Sequence, residues 1–246
     1  MRLIFIRHAE PDYEHNTLTE KGKYEAELLA RRVAKWDNLE EIYVSPLPRA
    51  QMTAAPFLRD LGRTAETLPW LEEFIYSVED PLTDGATIKH VPWDFMPAFY
   101  KNKPEFADRE QWIHAWPYYT NPDLEPAYRT VTEGIDGILA RHGYRRDGYL
   151  YRCDRELTDQ DDDKNLVFVC HFGVTAFILS HVMGLAAPQM TMNFISMPTG
   201  VTVAIAEKRQ PESALFRMQY FGDTSHLRTA GEPVSNMGAF AKVFQG

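Results

Sequence analysis

The chain has 246 residues, of which 44% are hydrophobic and 25% are charged. These values are ordinary for a folded protein and exclude collagen-like, low-complexity and wholly disordered chains. With 26 Lys and Arg against 35 Asp and Glu, the net charge is −9, so the chain is expected to bind neither nucleic acid nor an anionic membrane. An anionic small substrate would need a local positive pocket. The length suits one α/β domain, alone or with a smaller inserted subdomain.

The two cysteines, Cys153 and Cys170, are too few for a disulfide framework or a four-cysteine zinc site, and we expect a cytoplasmic protein. The apolar run at residues 3–6 is too short for a signal peptide. Residues 165–206 contain no Asp, Glu, Lys or Arg. Polar and Gly or Pro residues interrupt this run, and it therefore predicts a buried strand, a helix, a loop and a second strand instead of a membrane span.

Apolar β-forming runs alternate with amphipathic segments at both ends of the chain. This order predicts βαβ units and a parallel sheet, while the short connection between the last two strands favours antiparallel pairing. The predicted strands are residues 3–6, 41–45, 166–170, 201–206 and 215–221, and the predicted helices begin at Glu20, Pro48 and Val174. We expect an α/β fold, namely a three-layer sandwich with a mostly parallel central sheet and an inserted, mainly helical cap.

The middle of the chain is rich in aromatic residues and prolines. Residues 76–128 hold 11 of the 31 aromatic residues, and the prolines divide this region into short helices. We predict a single domain over residues 1–246, within which approximately residues 76–150 form the inserted cap. The cap aromatics are expected to form the cap's own core rather than a substrate-binding surface.

Four basic side chains fall at the ends of predicted strands. Arg7 and His8 follow the first strand, Arg49 lies in the first turn of the helix after the second, and His171 follows the strand at 166–170. The carboxyl ends of parallel strands are where α/β sheets bind ligands. Arginine forks and helix N–H groups bind phosphate oxygens, so the pattern predicts an oxyanion site. One strand-end histidine alone is more often structural.

Five segments resemble, in order, the motifs of the histidine phosphatase superfamily, which is also called phosphoglycerate-mutase-like. They are residues 7–9 (Arg-His-Ala), 18–22 (Leu-Thr-Glu-Lys-Gly), 45–54 (Ser-Pro-Leu-Pro-Arg-Ala-Gln-Met-Thr-Ala), 169–174 (Val-Cys-His-Phe-Gly-Val) and 223–227 (Asp-Thr-Ser-His-Leu). Ala9 replaces the usual Gly, and Phe172 stands where Gly is common. Both add bulk beside the pocket and remove no reacting group.

The resemblance implies that His8 attacks phosphorus and becomes a phosphohistidine. It implies that Arg7, Arg49 and His171 hold the phosphate oxygens, with His171 also counted among the catalytic residues. A carboxylic acid should protonate the leaving oxygen. In the family this acid often lies in a Leu-x-Glu segment, which matches Glu73, with Glu72 as its rival. No metal and no cofactor are expected.

Other residues are weaker candidates. The possible substrate contacts are Asp12, Glu14, Glu72, Phe172, Thr224 and His226. For the loop after His8, an exposed turn is at least as plausible as a substrate contact. The acidic run at residues 161–163 lacks an EF-hand pattern and is interpreted as a solvated loop.

The sequence therefore predicts a phosphomonoesterase acting through a phosphohistidine on a small phosphorylated metabolite. A phosphoglycerate mutase is the alternative. Mutases of the family usually carry a longer segment with Asn, Gly and Trp after the first histidine, and residues 9–18 contain neither Gly nor Trp. A catalytically silent phospho-ligand-binding protein is the alternative of another class. The expected partner is the small substrate, and the sequence does not indicate an oligomeric state.

Overall fold

The computed structural model describes residues 1–79, 89–95, 100–210 and 212–245. The strands are β1 (Arg2–Arg7), β2 (Pro11–Asp12), β3 (Thr17–Leu18), β4 (Leu39–Val44), β5 (Glu66–Thr67), β6 (Val78–Glu79), β7 (Lys89–His90), β8 (Tyr144–Asp147), β9 (Leu150–Cys153), β10 (Asn165–Cys170), β11 (Val201–Gln210) and β12 (Ser213–Asp223). The α-helices are α1 (Glu20–Val33), α2 (Pro48–Leu61), α3 (Leu124–Arg141), α4 (Arg155–Thr158), α5 (Phe172–Met183), α6 (Ala187–Asn193) and α7 (Ser225–Thr229). Short 3-10 helices lie at Pro69–Leu71, Pro104–Ala107, Trp112–His114 and Tyr118–Thr120.

Eight strands form the main sheet in the order β5-β4-β10-β1-β11-β12-β9-β8. The α/β class is confirmed, but the sheet is mixed instead of mostly parallel. The β5, β4, β10 and β1 strands run parallel to one another, whereas every neighbouring pair from β1 to β8 is antiparallel. The tight turns of the β8–β9 and β11–β12 hairpins leave no room for the crossover that a parallel pair requires.

Helices cover both faces of the sheet and give three layers. One face buries alternate residues of β1, β4 and β10, including Ile4, Ile42 and Val167, against α1 and α2, and Phe57 of α2 belongs to this core. The other face buries the intervening residues against α3 and α5, including Phe5 and Phe168, whose rings stack with centroids 4.9 Å apart. Strands buried on both faces are apolar without alternation, which explains the continuous apolar runs of β1 and β10.

The start of α1 shows why its segment contains a glycine. The Thr19 side chain accepts a hydrogen bond from the Gly22 amide and so caps the helix. A Cβ atom on Gly22 would lie 2.1 Å from the Glu10 carbonyl oxygen, well inside contact distance. Only glycine lets the loop after His8 pack this closely on the helix.

Part of the range predicted for the cap pairs or packs with the main sheet and its helices. The predicted range 76–150 includes α3, β8 and part of β9, yet α3 packs against α5, and β8 and β9 extend the main sheet. The buried aromatic residues described in this region join the core of the main fold instead of forming a core of their own: the Trp112 ring meets the rings of Tyr118 and Tyr128 edge-on at 5.0 and 5.1 Å and lies 5.9 Å from the Phe177 ring of α5. The predicted cap residues 80–88 and 96–99 lie outside the described residues.

The uncharged run at 165–206 folds into β10, α5, α6 and the first part of β11, so the two strands and the first helix agree with the prediction, whereas the predicted loop contains the short helix α6. No described helix is both long and apolar enough to cross a bilayer. The acidic run is not a uniformly solvated loop, because Asp161 is buried. Its carboxylate accepts hydrogen bonds from the Tyr144 hydroxyl at 2.7 Å and from Lys208 at 2.6 Å, which compensates its burial.

Candidate active site

The parallel half of the sheet brings the four predicted basic residues to one edge. Arg7 is paired with Cys170, so the residues that follow them, His8 and His171, emerge side by side. The His8 amide donates to the Cys170 carbonyl at 2.9 Å, and the two imidazole centroids are 5.1 Å apart. Arg49 enters from the first turn of α2, which follows the neighbouring strand β4.

His8 is held as a neutral imidazole with one free nitrogen. Its Nδ1 lies 2.7 Å from the Ala9 carbonyl oxygen, and because a carbonyl can only accept, the proton resides on Nδ1. The Nε2 lone pair is then available for reaction. Burial lowers the pKa of His8 to about 3, and the charges of Arg7 and Arg49 add to the effect. The imidazole therefore stays unprotonated at neutral pH.

His171 is the N-cap residue of α5 and is fully buried. Its Nε2 lies 2.8 Å from the Ser45 hydroxyl, which also accepts a hydrogen bond from the Leu47 amide. Burial, followed by the charges of His8, Arg49 and Arg7, lowers the pKa of His171 well below its usual value. Its other nitrogen, Nδ1, is buried and has no partner among the described residues.

The two guanidinium groups are anchored without carboxylate partners. Arg7 donates to the carbonyl oxygens of Ser196 at 2.5 Å and Met237 at 3.5 Å. Burial lowers the pKa of Arg7, and the nearby Tyr13 and Glu73 oppose that shift. Across the described residues, neither Arg7 nor Arg49 forms a salt bridge, and the Nε atoms of both are buried without a partner. Such a pair of cations can accept a doubly charged oxyanion.

Glu73 lies at the N-terminus of α5. Its Oε1 accepts the amides of Phe74 at 2.8 Å and Val174 at 3.0 Å, while Oε2 accepts the Gly173 amide at 3.2 Å. A Cβ on Gly173 would lie 2.6 Å from Glu73 Oε1 and 2.5 Å from Trp93 Nε1, so a larger residue would displace both. Glu72, the rival candidate, is exposed and does not line the pocket.

A cavity of about 710 Å³ opens beside these residues. Arg7, Arg49, Glu73 and Phe172 line it, together with Tyr13, whose ring centroid lies 5.6 Å from Arg49 Cζ. The remaining walls come largely from the cap and from the segment around α6. Thus the structure brings Arg7, His8, Arg49, Glu73, Phe172 and His171 into one site.

The other predicted contacts lie away from the cavity. Asp12 holds its own turn by accepting the amides of Glu14 and His15, both at 3.1 Å, and Glu14 is exposed. Thr224 caps α7. His226 lies behind the site, where its Nε2 is 3.0 Å from the Thr199 hydroxyl.

Thr199 connects that buried histidine to the site. Its amide donates to the Arg7 and His8 carbonyls at 3.1 and 3.2 Å, so His226 supports the end of β1 from behind. Burial lowers the pKa of His226 to about 4, which keeps it neutral in this position.

Sequence reasoning missed three residues that the geometry brings to the site. Ser45 positions His171, Tyr13 covers the arginines, and Trp93 joins the pocket wall instead of the cap core. Ser45 is the first residue of the recognised 45–54 segment and could have been assigned from it. The other two carry no local signal. No group of three His, Cys, Asp or Glu residues in the described ranges is arranged to hold a metal ion.

This geometry agrees with the comparison against protein families. The model of the histidine phosphatase superfamily (branch 1) matches residues 3–218. The chain belongs to this superfamily. The prediction of a histidine phosphatase enzyme is therefore confirmed at the level of the family. A comparison with curated proteins gives no match.

Several solved histidine phosphatase-like structures share the fold. A phosphoserine phosphatase from Entamoeba histolytica in complex with 3-phosphoglyceric acid is 18% identical, over 92% of this chain and 98% of that chain, with a TM-score of 0.57. A mycobacterial glucosyl-3-phosphoglycerate phosphatase in complex with VO3 is 17% identical, over 91% and 99% of the two chains, with a TM-score of 0.56. A structure described as mycobacterial hydrolase 1 is 17% identical over 90% and 98%, with a TM-score of 0.58. At these identities the likeness concerns the fold.

Proposed function

We propose that this protein is a phosphomonoesterase that acts through a phosphohistidine on a small phosphorylated metabolite. The observation that carries the proposal is the state of His8. Its Nδ1 proton is held by the Ala9 carbonyl, its Nε2 lone pair is free, and two guanidinium groups lie beside it. A neutral imidazole next to an oxyanion site is equipped to attack phosphorus.

In the first step, His8 Nε2 attacks phosphorus in line with the bond to the leaving oxygen. The N–P bond forms as the P–O bond breaks, and the leaving alkoxide takes a proton from the Glu73 carboxyl group. Arg7 and Arg49 neutralise the phosphoryl oxygens throughout. His171 Nδ1, which has no protein partner among the described residues, would supply a further donor to one of these oxygens.

In the second step, the Glu73 carboxylate takes a proton from water as the water oxygen attacks phosphorus. The N–P bond breaks, inorganic phosphate leaves, and His8 recovers its lone pair. The two steps are mirror images, so the same carboxyl group serves first as acid and then as base. The proposal includes a cytoplasmic location, which is consistent with Cys153 and Cys170 both being buried and unpaired.

The phosphoenzyme is the decisive species. Rapid-quench experiments with a ³²P-labelled phosphomonoester should trap one acid-labile, base-stable phosphoryl group per chain in the wild-type protein. His8→Asn should form no phosphoenzyme and should lose nearly all turnover while keeping its circular dichroism spectrum. His181→Asn is the matched control, because His181 lies on α5 and is bound to Asp136 outside the site.

Normal turnover by a folded His8→Asn variant would overturn the proposal. Transfer of the labelled group to 3-phosphoglycerate with little release of phosphate would establish mutase activity instead. Binding of phosphate without turnover of any ester would identify a silent binding protein.

A further inference from the structure

The cavity beside the phosphate site is mostly apolar. Its described walls include six large apolar side chains from three separate parts of the chain, Ile75, Trp93, Phe95, Phe172, Met192 and Ile195. The Trp93 and Phe172 rings meet edge-on with centroids 5.8 Å apart, and Phe172 directly follows His171 in the chain. At about 710 Å³, the cavity has the size of a small-molecule site.

The charged residues that line the cavity can bind one anionic group of a substrate, and those described offer no cation for a second one. Among the described lining residues, the only guanidinium groups are those of Arg7 and Arg49, which the phosphoryl group would engage, and the only other basic side chain is His90. Glu73 and Asp94 are acidic. A carboxylate or second phosphate on the leaving group would lie near these acids and lose its hydration without a matching cation.

We infer that the substrate is a phosphomonoester whose leaving group is a large apolar alkyl or aryl alcohol without a second negative charge. This inference rests on the proposed phosphatase function and names its substrate class. The phosphoryl group would sit between Arg7, Arg49 and His8, and the apolar part would bury against the Trp93–Phe172 pair. Two of the solved structures described above are named for or with polar phosphorylated molecules, 3-phosphoglyceric acid and glucosyl-3-phosphoglycerate, and the substrate inferred here belongs to a different chemical class.

A series of primary alkyl phosphates tests the inference, because ethyl, butyl and hexyl phosphate share the same leaving chemistry and differ only in apolar length. Complete burial of a methylene corresponds to roughly a fourfold gain. We therefore expect kcat/KM to rise about two- to fourfold per added methylene. Glycerol 3-phosphate and 3-phosphoglycerate should react at least about tenfold less efficiently than butyl phosphate.

A charged substitution in the cavity wall tests whether the apolar part of the substrate binds there. Ile195 lines the cavity and is 46% exposed, while Leu150, on β9 and outside the cavity, is 44% exposed. Ile195→Lys should abolish the dependence on chain length and raise kcat/KM for 3-phosphoglycerate. Leu150→Lys, the matched control, should behave as the wild type does. Circular dichroism spectra and urea unfolding curves like those of the wild type would show that both variants are folded.

The possible failures are distinguishable. If the wild-type protein turns over none of these esters, the proposed function is wrong. If it hydrolyses them without regard to chain length, or prefers 3-phosphoglycerate, the phosphatase stands and the inferred substrate class is overturned. If Ile195→Lys keeps the full chain-length dependence, the apolar group binds elsewhere and the assignment of this wall is wrong.

Discussion

Glu73 is positioned by main-chain amides from two parts of the chain. Phe74 supplies one N–H group, and the first turn of α5 supplies two more through Gly173 and Val174. These bonds hold the carboxyl group in the pocket wall, close to the helix that His171 caps. A proton donor for the leaving group must lie on the pocket side of the site, and Glu73 meets this requirement whereas the exposed Glu72 does not.

Glu73→Gln should therefore slow the hydrolysis of alkyl phosphates far more than that of p-nitrophenyl phosphate. A strongly basic alkoxide must be protonated as it leaves, but p-nitrophenolate departs without a proton. General-acid assistance contributes about 10²–10⁴ in rate, so the ratio of kcat values on the two substrates should change measurably. Glu72→Gln is the control and should leave the ratio unchanged. Equal losses on both substrates by Glu73→Gln would refute a proton-transfer role.

At the scale of single residues, the sequence predicts the site residues that lie at strand ends or within the recognised motifs. Arg7, His8 and His171 follow apolar runs directly, so their convergence could be inferred once a parallel sheet was predicted. Tyr13 and Trp93 could not be assigned in this way. Their positions depend on how the loop after His8 and the inserted region fold back over the sheet, and nothing local in the sequence records that tertiary choice.

At the scale of elements, the start of α5 is the most constrained part of the site. Gly173→Ala would place a methyl group 2.5–2.6 Å from the atoms of Trp93 and Glu73. We expect this variant to displace Glu73 and to lower kcat on alkyl phosphates by about 10² or more, since it disrupts general-acid catalysis. Steady-state kinetics on hexyl and p-nitrophenyl phosphate should show the same selectivity as for Glu73→Gln.

A second glycine supplies the control. Gly137 lies in the interior of α3, and a Cβ added there would meet nothing within 4 Å. Gly137→Ala should therefore stabilise the protein by about 1 kcal/mol through helix propensity and leave turnover unchanged. Urea unfolding and the same assays measure both effects. Equal kinetics for the two alanine variants would contradict the close packing assigned to Gly173.

The sequence predicts those helices and strands whose hydrophobic periodicity is strong. It does not predict the strands whose place depends on pairing with a distant strand. The helix predicted to begin at Glu20 starts there as α1, and the strand predicted at 166–170 agrees with β10 to within a residue. The predicted cap range of 76–150 takes in β8 and the first residue of β9, where the sequence analysis predicts no strand. The β8–β9 hairpin joins the sheet because β12 offers an open edge through Ser213 and Ala214. Such long-range pairing is not visible in a local pattern.

At the scale of the whole molecule, buried neutral histidines connect the site to acid stability. The pKa of His8 is lowered to about 3 and that of His226 to about 4, both below the unfolded value of about 6.5. Above pH 6.5 neither the native nor the unfolded state binds a proton at these histidines, and their contribution to the free energy of unfolding is fully present. As the pH falls below 6.5, the unfolded chain takes up protons that the native state refuses, so the free energy of unfolding decreases.

We expect the wild-type protein to lose about 1–2 kcal/mol more than His8→Asn when the pH is lowered from 7 to 5, as measured by urea unfolding. His114→Asn replaces an exposed histidine and should show the wild-type pH dependence. If the free energy of unfolding of His8→Asn fell with decreasing pH as steeply as that of the wild type, the His8 imidazole would not be kept neutral by its surroundings.

The central position of β1 has a consequence for synthesis on the ribosome. This strand precedes both of its neighbours in the chain by more than 150 residues, since Arg2 pairs with Asn165 on one side and Ile205 on the other. At about 5–20 residues per second, the emerging chain carries β1 with both edges unpaired for roughly 10–30 s. During that interval an apolar strand is available to bind another nascent chain or a chaperone, and His8 cannot meet His171. The active site therefore forms only after β10 and His171 have left the ribosome.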